Sequence, residues 1–194
     1  MITILALGDS LTAGYGLTPE DSFASRLEKR LQKDGWKIKV INGGVSGDTT
    51  HDGLMRLQSL LRHKPDLVIV QFGANDLFVG LMPGEVKTNL EKIIDACNDH
   101  GAKVVLAGIE CLVDHSDAYS TEVHQAFKQV ALSRQVQFIE DFMPGIPGNA
   151  DLTLPDGLHP NRAGVDKMVE NISPLLDSEL NLMRAVPSTQ LSVI

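Results

Sequence analysis

Two cysteines in 194 residues are too few for a disulfide scaffold, and neither stands in a metal-ligand spacing. Cys97 falls on the apolar face of a helical pattern and Cys111 follows a strand-like run. Both therefore read as reduced packing residues, with a single bridge as the other reading. Aromatic residues are scarce, with one Trp and two Tyr, which leaves little to stack on a flavin ring. No Lys/Arg cluster offsets the balance of 17 basic against 25 acidic residues, and the formal net charge is −8. That balance argues against nucleic-acid partners and against attraction to anionic membranes. No apolar run approaches the roughly 20 residues of a spanning helix, so no stable membrane insertion is expected. The opening run Ile2–Leu7 lacks the basic start and small-residue cleavage site of a signal peptide. The expected compartment is thus the cytoplasm, or the periplasm if a signal peptide has been removed. A P-loop is missing, and Gly14-Tyr15-Gly16 continues to Pro19 rather than to a third glycine, so nucleotide binding is not indicated.

What is present is an ordinary globular composition, 43% hydrophobic and 22% charged. Short β-branched and aliphatic runs predict strands at Ile2–Leu7, Ile38–Ile41, Leu67–Phe72, Val104–Ile109 and Val136–Ile139. Their near-continuous apolar character suits strands buried on both faces. Helical spacing separates them: Phe23, Leu27 and Leu31; Leu54, Leu57 and Leu61; Leu90, Ile93, Ile94 and Cys97; Val123, Phe127 and Val130; Val165, Met168, Val169 and Ile172. Asn161, after Pro160, is a plausible N-cap for the last of these. Strands alternating with helices imply an α/β protein. The simplest topology is a doubly wound three-layer α/β/α sandwich around a five-stranded parallel sheet. The expectation is one domain over residues 1–180 and a loosely ordered C-terminal tail over 181–194, with a monomer as the default state.

Ligands of open α/β sheets bind beyond the carboxyl ends of the strands. The loops there hold Gly8-Asp9-Ser10-Leu11, Asn42-Gly43-Gly44-Val45-Ser46-Gly47-Asp48, Gly73-Ala74-Asn75-Asp76 and Asp156-Gly157-Leu158-His159-Pro160. A serine hydroxyl is a weak nucleophile at neutral pH and needs a base within hydrogen-bond reach. Ser10 is the candidate nucleophile, His159 the base, and Asp156 the carboxylate that orients the imidazole. Three residues of separation let one turn present Asp156 and His159 together. The backbone N–H groups of Ser10 and Gly47 and the Asn75 amide are the candidate oxyanion donors, each typically worth ~3 kcal/mol.

Taken singly, each of these stretches reads equally well as a turn, a helix cap or a flexible bend; their placement after different strands is what points to chemistry. Ser46 is a rival nucleophile, but its surroundings lack the final glycine of a Gly-x-Ser-x-Gly elbow. His51, His63, His100, His115 and His124 read as solvated residues without a metal-ligand pattern. A signalling receiver is also disfavoured, since Phe72-Gly73 stands where an aspartate should end strand three.

In these blocks the chain resembles the SGNH, or GDSL-type, hydrolases, with Ser10, Gly47, Asn75 and His159 at the signature positions and Asp156 in the Asp-x-x-His block. It is most similar to the branch of multifunctional thioesterase I/lysophospholipase L1 and arylesterases, over about residues 1–178. The stretches Leu7–Gly16, Val45–Thr50, Gly73–Asp76 and Asp156–Asn161 carry the likeness. The resemblance implies a flavodoxin-like sandwich, no metal or organic cofactor, and hydrolysis of esters or thioesters through an acyl-enzyme. It also implies mobile loops around a shallow acyl site. Leu77, Phe78 and Val79, in the apolar run Leu77–Pro83, are the candidate substrate-binding residues; packing against the third helix is the alternative reading. After strand four the branch often carries a Pro-, Asn- and Tyr-containing loop, whereas this chain reads Glu110–Tyr119 with a different composition. A carbohydrate O-deacetylase on the same catalytic plan, or a flavodoxin-like binding module without catalysis, are the competing functions.

Overall fold

Parallel strands cannot be joined by a tight turn, and here every connection between successive strands carries at least one helix. The computed structural model describes residues 1–185. Strands β1 (Ile2–Gly8), β2 (Ile38–Gly44), β3 (Leu67–Gln71), β4 (Lys103–Ala107) and β5 (Gln137–Ile139) form one parallel sheet in the order β2-β1-β3-β4-β5. The helices are α1 (Ser10–Ala13), α2 (Phe23–Lys33), α3 (Thr50–Leu61), α4 (Ala74–Val79), α5 (Pro83–Asp99), α6 (Ala118–Arg134) and α7 (Arg162–Ala185).

Side chains alternate across a strand, and both faces of this sheet are apolar. Ile4 and Ala6 of β1 face α2 and α7, meeting Phe23, Leu27, Leu31, Val165, Met168 and Ile172. Leu5 and Leu7 face the other layer, with Leu57 and Leu61 of α3, Leu90 and Ile93 of α5, and Phe127 of α6. This is the three-layer sandwich expected from the alternating pattern. Each fully buried Leu, Ile or Phe contributes about 1.5–3 kcal/mol. The part-exposed pairs Arg26–Asp166 and Arg30–Asp177, which join α2 to α7, are worth at most about 1 kcal/mol each. Apolar burial therefore holds the helices on the sheet, and the ion pairs align α2 with α7.

Several boundaries differ from the periodicity. β2 runs on to Gly44, so Asn42-Gly43-Gly44 belongs to the strand rather than to the loop after it. β3 ends at Gln71 and β4 at Ala107, earlier than the apolar runs that contain them. Ser10 and Asn75, expected in loops, begin short helices instead. The last helix continues through Pro174 to Ala185, because Leu176 and Leu180 bury against the α2 layer and offset the break that proline imposes. The first residues of the expected tail are thus helical, and residues 186–194 lie outside the described ones. His124 is a correction: it is 1% exposed on α6, not solvated, because it faces the layer between that helix and the segment after β4. Cys97 and Cys111 are free, and burial pushes both thiols well above the usual range, so neither is a thiolate at neutral pH. Among the described residues no helix is long and apolar enough to cross a membrane.

Helix α1 lies across the end of β2, and Gly44 permits the approach: a Cβ there would come within 2.7 Å of Ala13 Cα. Gly44→Ala is expected to destabilise by about 1–3 kcal/mol in urea unfolding, as overpacking against backbone does. Gly84→Ala, in open space on the first turn of α5, is expected to be neutral or to stabilise by at most about 1 kcal/mol.

Candidate active site

At the end of β1 the chain turns into α1 with Asp9 as N-cap, its Oδ1 accepting the Leu11 N–H at 3.0 Å. That turn makes Ser10 the first helical residue and points it to the rim of the sheet. Asp9 itself is fully buried. Burial pushes its carboxyl from the ordinary 3.8 up to about 7, with Leu11 and Gln71 opposing the rise and Asp76 and Asp48 adding to it. Thr12 Oγ1 donates to Gln71 Oε1 at 2.8 Å, while Asp9 Oδ2 and Gln71 Nε2 lack a well-formed partner among the described residues.

The candidate base, His159, arrives from the segment before α7. Asp156 Oδ1 accepts the N–H groups of Leu158 and His159, both at 2.9 Å, which winds the chain into one tight turn. The same turn brings Asp156 Oδ2 to 2.7 Å from His159 Nδ1. Those hydrogen bonds, led by the Leu158 N–H, hold the Asp156 carboxyl below its usual range, so it accepts and Nδ1 donates. In the neutral imidazole that leaves His159 Nε2 as the acceptor, 3.0 Å from Ser10 Oγ. Asn161 secures the turn from behind, donating to the Asp151 and Thr153 carbonyls while its Oδ1 caps the Gly164 N–H of α7.

The candidate oxyanion donors come from the ends of β2 and β3. Gly47 has φ +92°, and a Cβ added there would meet nothing within 4 Å, so its side-chain direction is open to a ligand. Asn75 Nδ2 donates one proton to the Asp48 carbonyl at 2.9 Å, which places this amide beside Gly47 and leaves its second proton free to point elsewhere. Asp76, next to it, is fully buried and accepts from the Thr50 N–H at 3.1 Å and the Thr50 hydroxyl at 2.6 Å, joining α4 to the start of α3. Burial pushes its carboxyl up, and Thr50 offsets part of that rise.

Two residues that the motifs did not single out belong to this arrangement. Arg56 of α3 pairs with Asp48 at 2.6 Å and donates to the carbonyls of Gly43 at 2.7 Å and Gly8 at 3.0 Å. One guanidinium thus ties the ends of β1 and β2 to the Gly47-Asp48 turn. Tyr15 covers the imidazole, with ring centroids 4.4 Å apart and a 39° tilt to His159. An isolated aromatic between Gly14 and Gly16, in a chain poor in aromatics, was the available signal for Tyr15. Arg56 left none, since a helical arginine ordinarily faces water.

The substrate-binding candidates divide. Asn75, Phe78 and Val79 share one face of α4 at i, i+3 and i+4; Phe78 and Val79 are each 67% exposed. Leu77 turns the other way and packs against the core layer of α3, α5 and α6, because two residues along a helix is more than half a turn.

A hydroxyl, an imidazole and a carboxylate hydrogen-bonded in line at the carboxyl rim of an α/β sandwich is the arrangement of a serine hydrolase. The chain belongs to the GDSL-like Lipase/Acylhydrolase family, which it matches over residues 6–167. It is 33% identical over 175 residues to Esterase TesA of Pseudomonas aeruginosa, covering 90% of this chain and 87% of that one. It is 40% identical over 158 residues to an arylesterase of Vibrio mimicus, covering 81% and 79% respectively. Its fold superimposes on the crystal structure of the psychrotrophic esterase EstA from Pseudoalteromonas sp., inhibited by monoethylphosphonate. The TM-score is 0.86 at 30% identity, over 93% of this chain and 100% of that one.

The raised Asp9 carboxyl has a consequence for stability. A folded-state value above the unfolded one means that the native protein holds the extra proton, so stability is fully present below about pH 4 and falls as pH rises towards about 7. Across that window Asp9 is expected to withdraw at most about 4 kcal/mol. Urea unfolding at a series of pH values should show the stability gap between Asp9→Asn and wild type shifting in favour of the variant as pH rises. A gap that does not change with pH would mean that the buried carboxyl ionises normally.

Proposed function

We propose that this chain cleaves carboxylic esters and thioesters through an acyl-enzyme on Ser10, with His159 as general base and acid and Asp156 as the group that orients it. The observation that carries this reading is the unbroken line Asp156 Oδ2–His159 Nδ1 at 2.7 Å and His159 Nε2–Ser10 Oγ at 3.0 Å. His159 takes the hydroxyl proton as Ser10 Oγ attacks the acyl carbonyl. The Ser10 and Gly47 N–H groups and the free proton of Asn75 stabilise the tetrahedral oxyanion. The imidazolium then protonates the departing alcohol or thiol. Water, deprotonated by the same imidazole, attacks the acyl-enzyme and releases the acid. Asp156 stays ionised throughout and stabilises the imidazolium. No step needs a metal or an organic cofactor.

The substrate class follows from the rim. Phe78 and Val79 extend an apolar strip from Asn75 along α4, suited to an acyl chain or an aryl leaving group, which is why arylesters and short to medium acyl chains are proposed first. Acyl-CoA and lysophospholipid are further candidates, in keeping with the likeness to the thioesterase I/lysophospholipase L1 branch.

Ser10→Ala is expected to lower kcat on p-nitrophenyl acetate and butyrate by at least about 10⁴-fold while the unfolding transition stays in place. Undiminished turnover would remove Ser10 as nucleophile. Asn75→Ala is expected to lower kcat about 10²-fold with little change in KM, because its hydrogen bond strengthens in the transition state. On a p-nitrophenyl series from acetate to laurate, Phe78→Ser is expected to lower kcat/KM about tenfold for the longer chains and to spare acetate, as loss of apolar contact does. Activity confined to acetylated xylan or acetylated sugars would favour the deacetylase reading instead.

A further inference from the structure

A second cluster of chemically capable side chains lies at the β4–β5 edge of the sheet, and the ester chemistry makes no use of it. Glu110 opens a 3-10 turn (Glu110–Leu112) after β4, His124 lies on α6, and Glu140 follows β5 directly. Ligand atoms of the three all lie within 4.8 Å of one another. The backbone that carries the two carboxylates is rigid: Glu110 N–H donates to the Glu140 carbonyl at 3.3 Å, and Ile109 and Asp141 form an antiparallel bridge.

The imidazole is the unusual member. His124 is 1% exposed, and neither of its ring nitrogens makes a well-formed hydrogen bond among the described residues. Its Nε2 touches Glu110 Oε2 at 2.8 Å and lies 3.7 Å from Glu140 Oε1. The 2.8 Å contact is short enough for a hydrogen bond, yet it is not a well-formed one, and Glu110 Oε2 is itself buried without another partner among the described residues. Leaving such a group unsatisfied costs about 1–3 kcal/mol. Two buried atoms this close without a well-formed bond between them are both available to a third body.

We propose that Glu110, His124 and Glu140 form a binding site for a divalent transition cation of the zinc type, which fastens the segment after β4 to α6 and to the end of β5. Tetrahedral bonds of 2.0–2.1 Å set neighbouring ligand atoms about 3.3 Å apart, and the observed separations of 2.8 and 3.7 Å bracket that value. One imidazole with two carboxylates suits zinc better than calcium or magnesium, which favour all-oxygen sets. A divalent ion also balances both carboxylate charges. Outer contacts are in place: His115 Nε2 holds the other Glu110 oxygen at 2.8 Å. Lys128, one turn beyond His124 on α6, pairs with Glu140 Oε1 and competes with the cation for that oxygen. Ligands contributed by residues 110, 124 and 140 form no compact spacing motif, so no local pattern announces them.

The test uses tag-free, chelator-stripped protein titrated with zinc chloride alone, by calorimetry and by thermal unfolding, with cobalt(II) as the spectroscopic substitute. Saturable binding of a single ion, a higher Tm and a visible cobalt absorption band are expected. Glu140→Gln, an exposed position that folding tolerates, should weaken binding about tenfold or more, His124→Gln should weaken it further, and Lys128→Met should tighten it. His159→Asn should leave the affinity unchanged, which separates this site from the imidazole at Ser10. Absence of saturable binding would overturn the proposal. So would binding that Glu140→Gln leaves undiminished, and that comparison decides even if His124→Gln fails to fold.

Discussion

The parallel pairing of β1 between β2 and β3 is the constraint on which the rest of the molecule depends. Its register sets Gly8 opposite both Gly44 and Gln71, so three strands end level with one another. Strand order reverses between β1 and β3, and the chain leaves them towards opposite faces, which opens a crevice at that edge. Ser10, Gly47 and Asn75 each lie within a few residues of those ends. Their nearness to one end of the sheet follows from the strand register; the loops set their final positions.

What keeps the strand ends in place is polar and largely buried. Arg56 reaches two strand carbonyls and Asp48, Asp76 holds the start of α3, and Asn75 is held on the Asp48 carbonyl. The Tyr119 hydroxyl sits 2.9 Å from the carbonyls of Asp76 and Leu81, tying α6 to the same corner. Burying polar groups costs desolvation, most plainly at Asp9 beside Ser10, whose carboxyl is driven towards neutrality. Apolar layers hold the sandwich together, whereas this polar frame limits how far the rim groups can move relative to one another. Hydrolysis needs that restriction, because an oxyanion donor that drifts by an ångström loses most of its effect.

The proposed cation site extends the same economy to the far edge of the sheet. β5 has three residues and sits at the margin, and in the segment that precedes α6 Ile109 is buried while Cys111 and Leu112 are only partly so. A cation there would add a joint between that segment, α6 and the end of β5, and the buried His124, without a well-formed hydrogen bond among the described residues, is the observation that motivates the proposal.

The sheet, its layers and the grouping of Ser10, Asp156 and His159 were legible in the residue order, since apolar periodicity and short motifs act over a few positions. A run such as Ile4–Leu7 or the Asp156–His159 turn contains its own physical cause, an alternating burial in one case and an Asx turn in the other. The roles of Arg56, Leu77 and His124 were not legible, because each depends on what a distant segment places beside it. A helical arginine, a loop leucine and a surface-looking histidine become a strand clamp, a packing residue and a buried imidazole only when the crossovers bring their partners near. Local chemistry was written in the chain itself; which groups face one another across the layers was decided by tertiary packing, because burial and long-range contact have no spacing in sequence.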